Sequence, residues 1–96
     1  MTRTQAIKQA TSGVTMYSCG GRYIVSTYDE TRNAWIQSNA RDYWQARESV
    51  TQERTQRALE LLGYDRDDTD YYANREATGT LRERVNLYCN NHQVKG

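Results

Sequence analysis

Polar and apolar residues alternate at a period of two in the first part of the chain, and at a helical period after it. Val14–Cys19 and Arg22–Tyr28 are β-rich runs flanking Gly20–Gly21. Two adjacent glycines at that point suit a two-residue hairpin turn, which needs positive φ. Within RYIVSTY, Tyr23, Val25 and Thr27 fall on one face and Ile24, Ser26 and Tyr28 on the other. Asp29–Asn33 is a polar turn, and Ala34–Gln37 reads as a third strand. Three strands joined by short turns make an antiparallel meander. One apolar face of it needs a cover, because isolated hairpins are marginal.

The cover is a long helix predicted from Asn39 to Leu62, with Asn39 as its cap, Asp42 favouring its N-terminal dipole and Gly63 just past its last turn. Tyr43, Val50, Ala58 and Leu61 share one side, with Trp44 and Leu62 at the border. Arg47 and Arg54 fall on that same side, and Arg41 and Arg57 lie towards its edges. Ser49-Val50-Thr51-Gln52 has the form of a capping box, so the helix is either continuous or two closely joined pieces. Trp35 and Leu61 are expected to bridge sheet and helix.

The flanks are weaker in pattern. Residues 1–12 form an N-terminal arm or a short helix with Ala6, Ile7 and Ala10 as its stripe, capped by Thr2 or Thr4. Tyr64–Asp70 is an acidic connector, and a short helix from Thr69 or Asp70 to Ala77 follows it. Thr80-Leu81-Arg82-Glu83 is a capping box opening a helix with Leu81, Val85, Tyr88 and Cys89 on one face, and residues 91–96 are a polar tail. The predicted fold is α+β, one domain over 1–96: a short three-stranded antiparallel meander packed on a long central helix, with a shorter C-terminal helix.

Composition makes that core thin. Ninety-six residues hold five Leu, three Ile, five Val and no Phe, with mean hydropathy −1.02. Such values are typical of disorder, but eight Tyr and two Trp supply bulk and the net charge is only +1. A pI near 7.8 argues against a general DNA coater. Arginine outnumbers lysine by 11 to 2, which favours planar, forked contacts over diffuse charge. No apolar run is long enough to span a membrane. Cys19 and Cys89, with no secretory segment beside them, read as two reduced thiols in a cytoplasm.

Catalytic and metal chemistry find little support. Cys89 and His92 form a lone C-x-x-H, too few ligands for zinc, and a buried Cys on a helix face is the better account. The aspartates of YDRDDTD lack the glycine and distal Glu of a calcium loop. His92 is the only histidine, and neither G-x-S-x-G nor a phosphate-binding loop is present. The expectation is a protein that is not an enzyme and holds no metal or cofactor.

Two surfaces remain as candidates. On the central helix, Arg47, Arg54 and Arg57 with Tyr43 either cover the apolar stripe with their stems or offer forks to acidic side chains or phosphates. On the hairpin side, Arg22, Tyr23, Tyr28, Arg32 and Trp35 interleave base and aromatic, in a spacing that suits either core strands or stacking on bases.

The short meander ending in AWIQS, the dominant helix YWQARESVTQERTQRALELLG and the acidic connector together resemble the small phage-encoded proteins directed against host defences, anti-CRISPR proteins in particular. The resemblance is one of overall build over residues 14–64 and carries no functional residues across. It implies an inhibitor in the host cytoplasm that occupies a surface where a Cas ribonucleoprotein complex meets guide RNA or target DNA. The rival from another class is a small nucleic-acid-binding regulator using the arginine-bearing central helix. A third reading is a structural phage or accessory subunit whose thin core is completed by self-association.

Overall fold

A computed structural model describes residues 1–65 and 79–92. The order of elements is α1 (Arg3–Ser12), β1 (Val14–Cys19), β2 (Arg22–Asp29), β3 (Ala34–Ala40), α2 (Tyr43–Leu61) and α3 (Leu81–Asn91). The three strands form one antiparallel sheet in the order β1-β2-β3. Gly20 and Gly21 take φ of 58° and 77°, the conformation that a two-residue turn between β1 and β2 demands.

Helix α2 is a spine shared by two small cores. Its N-terminal half lays Ala46 and Val50 on Val14 and Val25 of the sheet. Its C-terminal half packs Ala58 and Leu59 against Ala6 and Ala10 of α1 and Val85, Tyr88 and Cys89 of α3. The result is elongated, 46 × 29 × 22 Å. Residues 3–12 are therefore no loose arm. Thr2 accepts from Gln5 N while the Gln5 side chain accepts from Thr2 N, a complete capping box, and Ala6 and Ala10 are fully buried. Thr80 and Glu83 build the same box on α3.

Two boundaries differ from expectation. Helix α2 starts at Tyr43 under an Asp42 cap, because Asn39 and Ala40 continue β3 and pair with Ile24 and Tyr23 of β2. A local capping preference loses there to ladder hydrogen bonds with a distant strand. The Ser49 pattern does not interrupt α2, which runs unbroken to Leu61. At its end Gly63 N donates to Glu60 O and Tyr64 N to Leu59 O, a Schellman closure at a glycine with φ of 100°. The short helix expected before Ala77 and the last residues of the polar tail lie outside the described residues.

Trp35 does not bridge sheet and helix. It pairs with Tyr28, on the face opposite Val25, where it is 49% exposed and packs on the Tyr28 ring at 5.4 Å. Leu61 packs on the helical core rather than on the sheet. Both free cysteines stand apart, Cys19 exposed at the end of β1 and Cys89 buried in the helical core.

Candidate docking surface

The arginines of α2 divide into two sets. Arg54 donates through Nε (3.0 Å) and Nη2 (2.8 Å) to the carbonyl of Val14, the first residue of β1. Burial pulls its pKa below the usual guanidinium value, though it stays charged. Arg57 donates through Nη1 to Tyr28 O at 2.7 Å and lies 3.5 Å from Glu30. Its path runs over Gly13, where a Cβ would meet Arg57 Nε at 2.6 Å. Both side chains thus satisfy carbonyls of the sheet, at Val14 and Tyr28, which ties helix to sheet. That geometry gives Arg54 and Arg57 a fastening role and leaves them little to offer a partner.

Arg47 is different. It is exposed, with its guanidinium carbon 5.7 Å from the centre of the Tyr43 ring. Tyr43 in turn meets Tyr23 at 5.7 Å and Trp44 at 5.3 Å, both edge-on. Trp44 is 72% exposed and Tyr43 40%. Arg22 precedes Tyr23 in β2, and Arg41 follows Ala40, the strand partner of Tyr23. The hairpin end therefore gathers three rings and the Arg47 guanidinium, while Arg41 lies 3.7 Å from Asp42, the cap of α2, and Arg22 stands on the opposite face of the sheet from Tyr23. Of the residues singled out from the sequence, the fold brings Tyr23, Tyr43 and Arg47 together here, and Arg22 is placed at the same end of the sheet on its other face. Tyr28 and Arg32 sit at the far end of β2, where the Tyr28 phenol is bonded to Asn33 and Arg32 lies 3.7 Å from Asp29.

The face of the sheet turned away from α2 runs into this end. Strand alternation places Thr15, Tyr17, Cys19, Arg22, Ile24, Ser26, Tyr28, Trp35, Gln37 and Asn39 on it. Arg22 is its one charged residue, and Tyr17 and Trp35 are 40% and 49% exposed. Arginine and aromatic side chains are the residue types that anchor macromolecular interfaces.

Sequence reading missed two participants. Trp44 belongs to the ring cluster, and the signal for it was a large aromatic on the first turn of a helix whose stripe did not need it. Arg84, on α3, is 5% exposed and binds Glu48 of α2 through both terminal nitrogens, at 2.9 and 3.1 Å, while its Nε donates to Gly79 O at 2.9 Å. The hydrogen bonds and charge of Arg84 hold the Glu48 carboxyl below its ordinary value, against an opposing contribution from burial. A carboxylate with a depressed folded pKa stabilises the fold above its unfolded pKa, and that contribution vanishes as pH falls through the folded value. The stability advantage of wild type over Glu48→Gln should therefore be full near neutrality and shrink as pH falls through and below the ordinary glutamate range, about 4.3. Urea melts across that range check it, and an advantage that grows on acidification would refute the assignment.

Among the described residues, no group of three or more His, Cys, Asp or Glu is placed to hold a metal. The C-x-x-H pair serves packing: Cys89 is in the core, and His92 stacks on Tyr88 at 4.2 Å. Of the aspartates in the acidic connector, those other than Asp65 lie outside the described residues. No described helix is long and apolar enough to cross a membrane. Comparison of the chain with protein-family models, curated proteins and solved structures finds no match.

Proposed function

We propose that this chain is a phage-type, anti-CRISPR-like inhibitor that docks on a host CRISPR–Cas nucleoprotein complex and obstructs it sterically, without catalysis. The observation that carries the proposal is the hairpin end, where Trp44 stands 72% exposed in a ring cluster with the Arg47 guanidinium 5.7 Å from the Tyr43 ring. Rigid rings offer contact area at low entropy cost, and guanidinium forks suit carboxylates or phosphates on a nucleoprotein surface. The rival, a nucleic-acid regulator reading through the central helix, is left with less to rest on. Two of the three arginines it needs hold strand carbonyls.

The test uses purified Cas effector ribonucleoproteins of several types and their target DNA. The wild-type chain is expected to co-elute with one of them and block its DNA binding. Trp44→Ala combined with Arg47→Glu should weaken that block by roughly a hundredfold, since each anchor is worth about 1–2 kcal/mol or more, with the thermal melt unchanged. A chain that inhibits none of them but grips free DNA with steep salt dependence would replace the proposal with the regulator.

A further inference from the structure

Helix α2 lies over β1 and β2 and scarcely reaches β3. This leaves a groove of about 690 Å³ between β3 and the C-terminal half of α2. Ile36, 43% exposed, and Leu61 supply its apolar surface. Among the described residues, Asp29, Glu30, Glu53 and Glu60 line it with carboxylates and Arg57 with a guanidinium. Glu30 is answered by Arg57 at 3.5 Å and Asp29 by Arg32 at 3.7 Å, so the acid the groove offers a ligand is Glu53, on its α2 wall. The groove is thus acidic in a protein whose net charge is +1.

The strand bordering the groove is an open edge. Tyr28 N donates to Gly13 O, which fixes the even-numbered residues of β2 as the ones bonded to β1 and the odd-numbered ones as bonded to β3. In β3 the even residues 34 to 40 consequently face β2, and the backbone N–H and C=O of Trp35, Gln37 and Asn39 point outwards. The strand sequence AWIQSNA contains no charge and no proline, and six of its seven residues are exposed. Long, uncharged, proline-free edges are the ones that accept another strand.

We propose that the β3 edge and its groove bind an extended, basic segment of a partner protein by strand addition. An added strand would hydrogen-bond to Trp35, Gln37 and Asn39, and its alternate side chains would stand beside Ile36 and Ser38, inside the groove. Arginine or lysine at those alternate positions lays its stem on Ile36 and Leu61 and carries its head to the carboxylate of Glu53. Charge selects this occupant over a second copy of the chain. A two-fold pairing through β3 would bring two acidic walls to the same side of the joined sheet, and like charges there oppose association. This inference is independent of the hairpin end and goes beyond the inhibitor reading, since it concerns a different surface and a different contact.

The experiment follows backbone amide exchange by NMR on the whole chain with a capped Arg-Val-Arg-Val-Arg-Val-Arg peptide. Binding with a Kd of micromolar order is expected, with slowed exchange at Trp35, Gln37 and Asn39 and little change at Ile36 and Ser38, whose amides already face β2. Replacing every arginine of the peptide by glutamate, or N-methylating alternate peptide nitrogens, should abolish it. Glu53→Lys should weaken binding by about tenfold with the melt unchanged. No protection of the three edge amides, equal binding of the glutamate or N-methylated peptides, or full affinity in Glu53→Lys would overturn the proposal. So would protection of those amides without peptide, rising with protein concentration, because a second copy would then be the occupant.

Discussion

Leu59→Ala should lower the unfolding free energy by on the order of 3–4 kcal/mol, the largest loss expected of any single truncation in this fold. Leu59 is the bulkiest fully buried side chain among the described residues and sits where α1, α2 and α3 meet. Its neighbours Ala6, Ala10 and Ala58 are too short to close over the space it would leave. A domain of this size has roughly 5–14 kcal/mol of stability in all, so the loss is a large fraction of it. Leu87, 49% exposed on α3, is the matched control, and Leu87→Ala should change stability by less than about 0.5 kcal/mol. Urea denaturation with an unchanged slope measures both. Equal midpoints for the two variants would remove Leu59 from the centre of the helical core.

Glu48→Ala is the second large effect, expected to cost about 2–3 kcal/mol. Removing the carboxylate leaves the Arg84 guanidinium, in a residue 5% exposed, with Gly79 O as its remaining bond. A buried pair broken from one side commonly costs about 3–5 kcal/mol, and the figure is discounted here because the Glu48 side chain is 51% exposed and water reaches the pair. The reverse deletion is milder, since a carboxylate stranded at the surface is readily hydrated. Adding Arg84→Met to Glu48→Ala should therefore recover part of the loss, because the methionine keeps an apolar stem between α2 and α3 and removes the orphaned charge. Strict additivity of the two changes would show that the pair does not fasten these helices.

Local signals in the sequence specify their elements, and non-local pairings leave no comparable signal. The Gly20–Gly21 turn, the Thr80–Glu83 capping box and the Gly63 helix end each depend on a few neighbouring residues, and each stands where expected. The meander and its cover by the long helix follow from the two hydrophobic periods. Asn39 belongs to β3 because the ladder to β2 runs on past it to the bonded pair of Ala40 with Tyr23, seventeen residues back, and no local signal carries that pairing. Trp35 was misplaced because its face is set by pairing with Tyr28, and aromatic bulk alone carries no information about which side of a sheet is covered. The candidate site shows the same division. Arg47, Arg54 and Arg57 look alike in sequence, and only the positions of Val14 and Tyr28 beneath the helix separate those that fasten from the one left at the surface.

That separation is the core of the account, since the docking surface exists only if α2 carries two kinds of arginine. The direct measurement is the thermal midpoint of Arg54→Gln beside that of Arg47→Gln. Loss of two charge-assisted bonds to Val14 O at a half-buried site should cost about 1–2 kcal/mol, and in a domain of this size each kcal/mol lowers Tm by roughly 4–8 °C. Arg54→Gln is thus predicted to melt at least about 4 °C below wild type, and Arg47→Gln within about 2 °C of it. Equal losses, or a larger one for Arg47→Gln, would contradict the division of the helix into fastening and docking arginines.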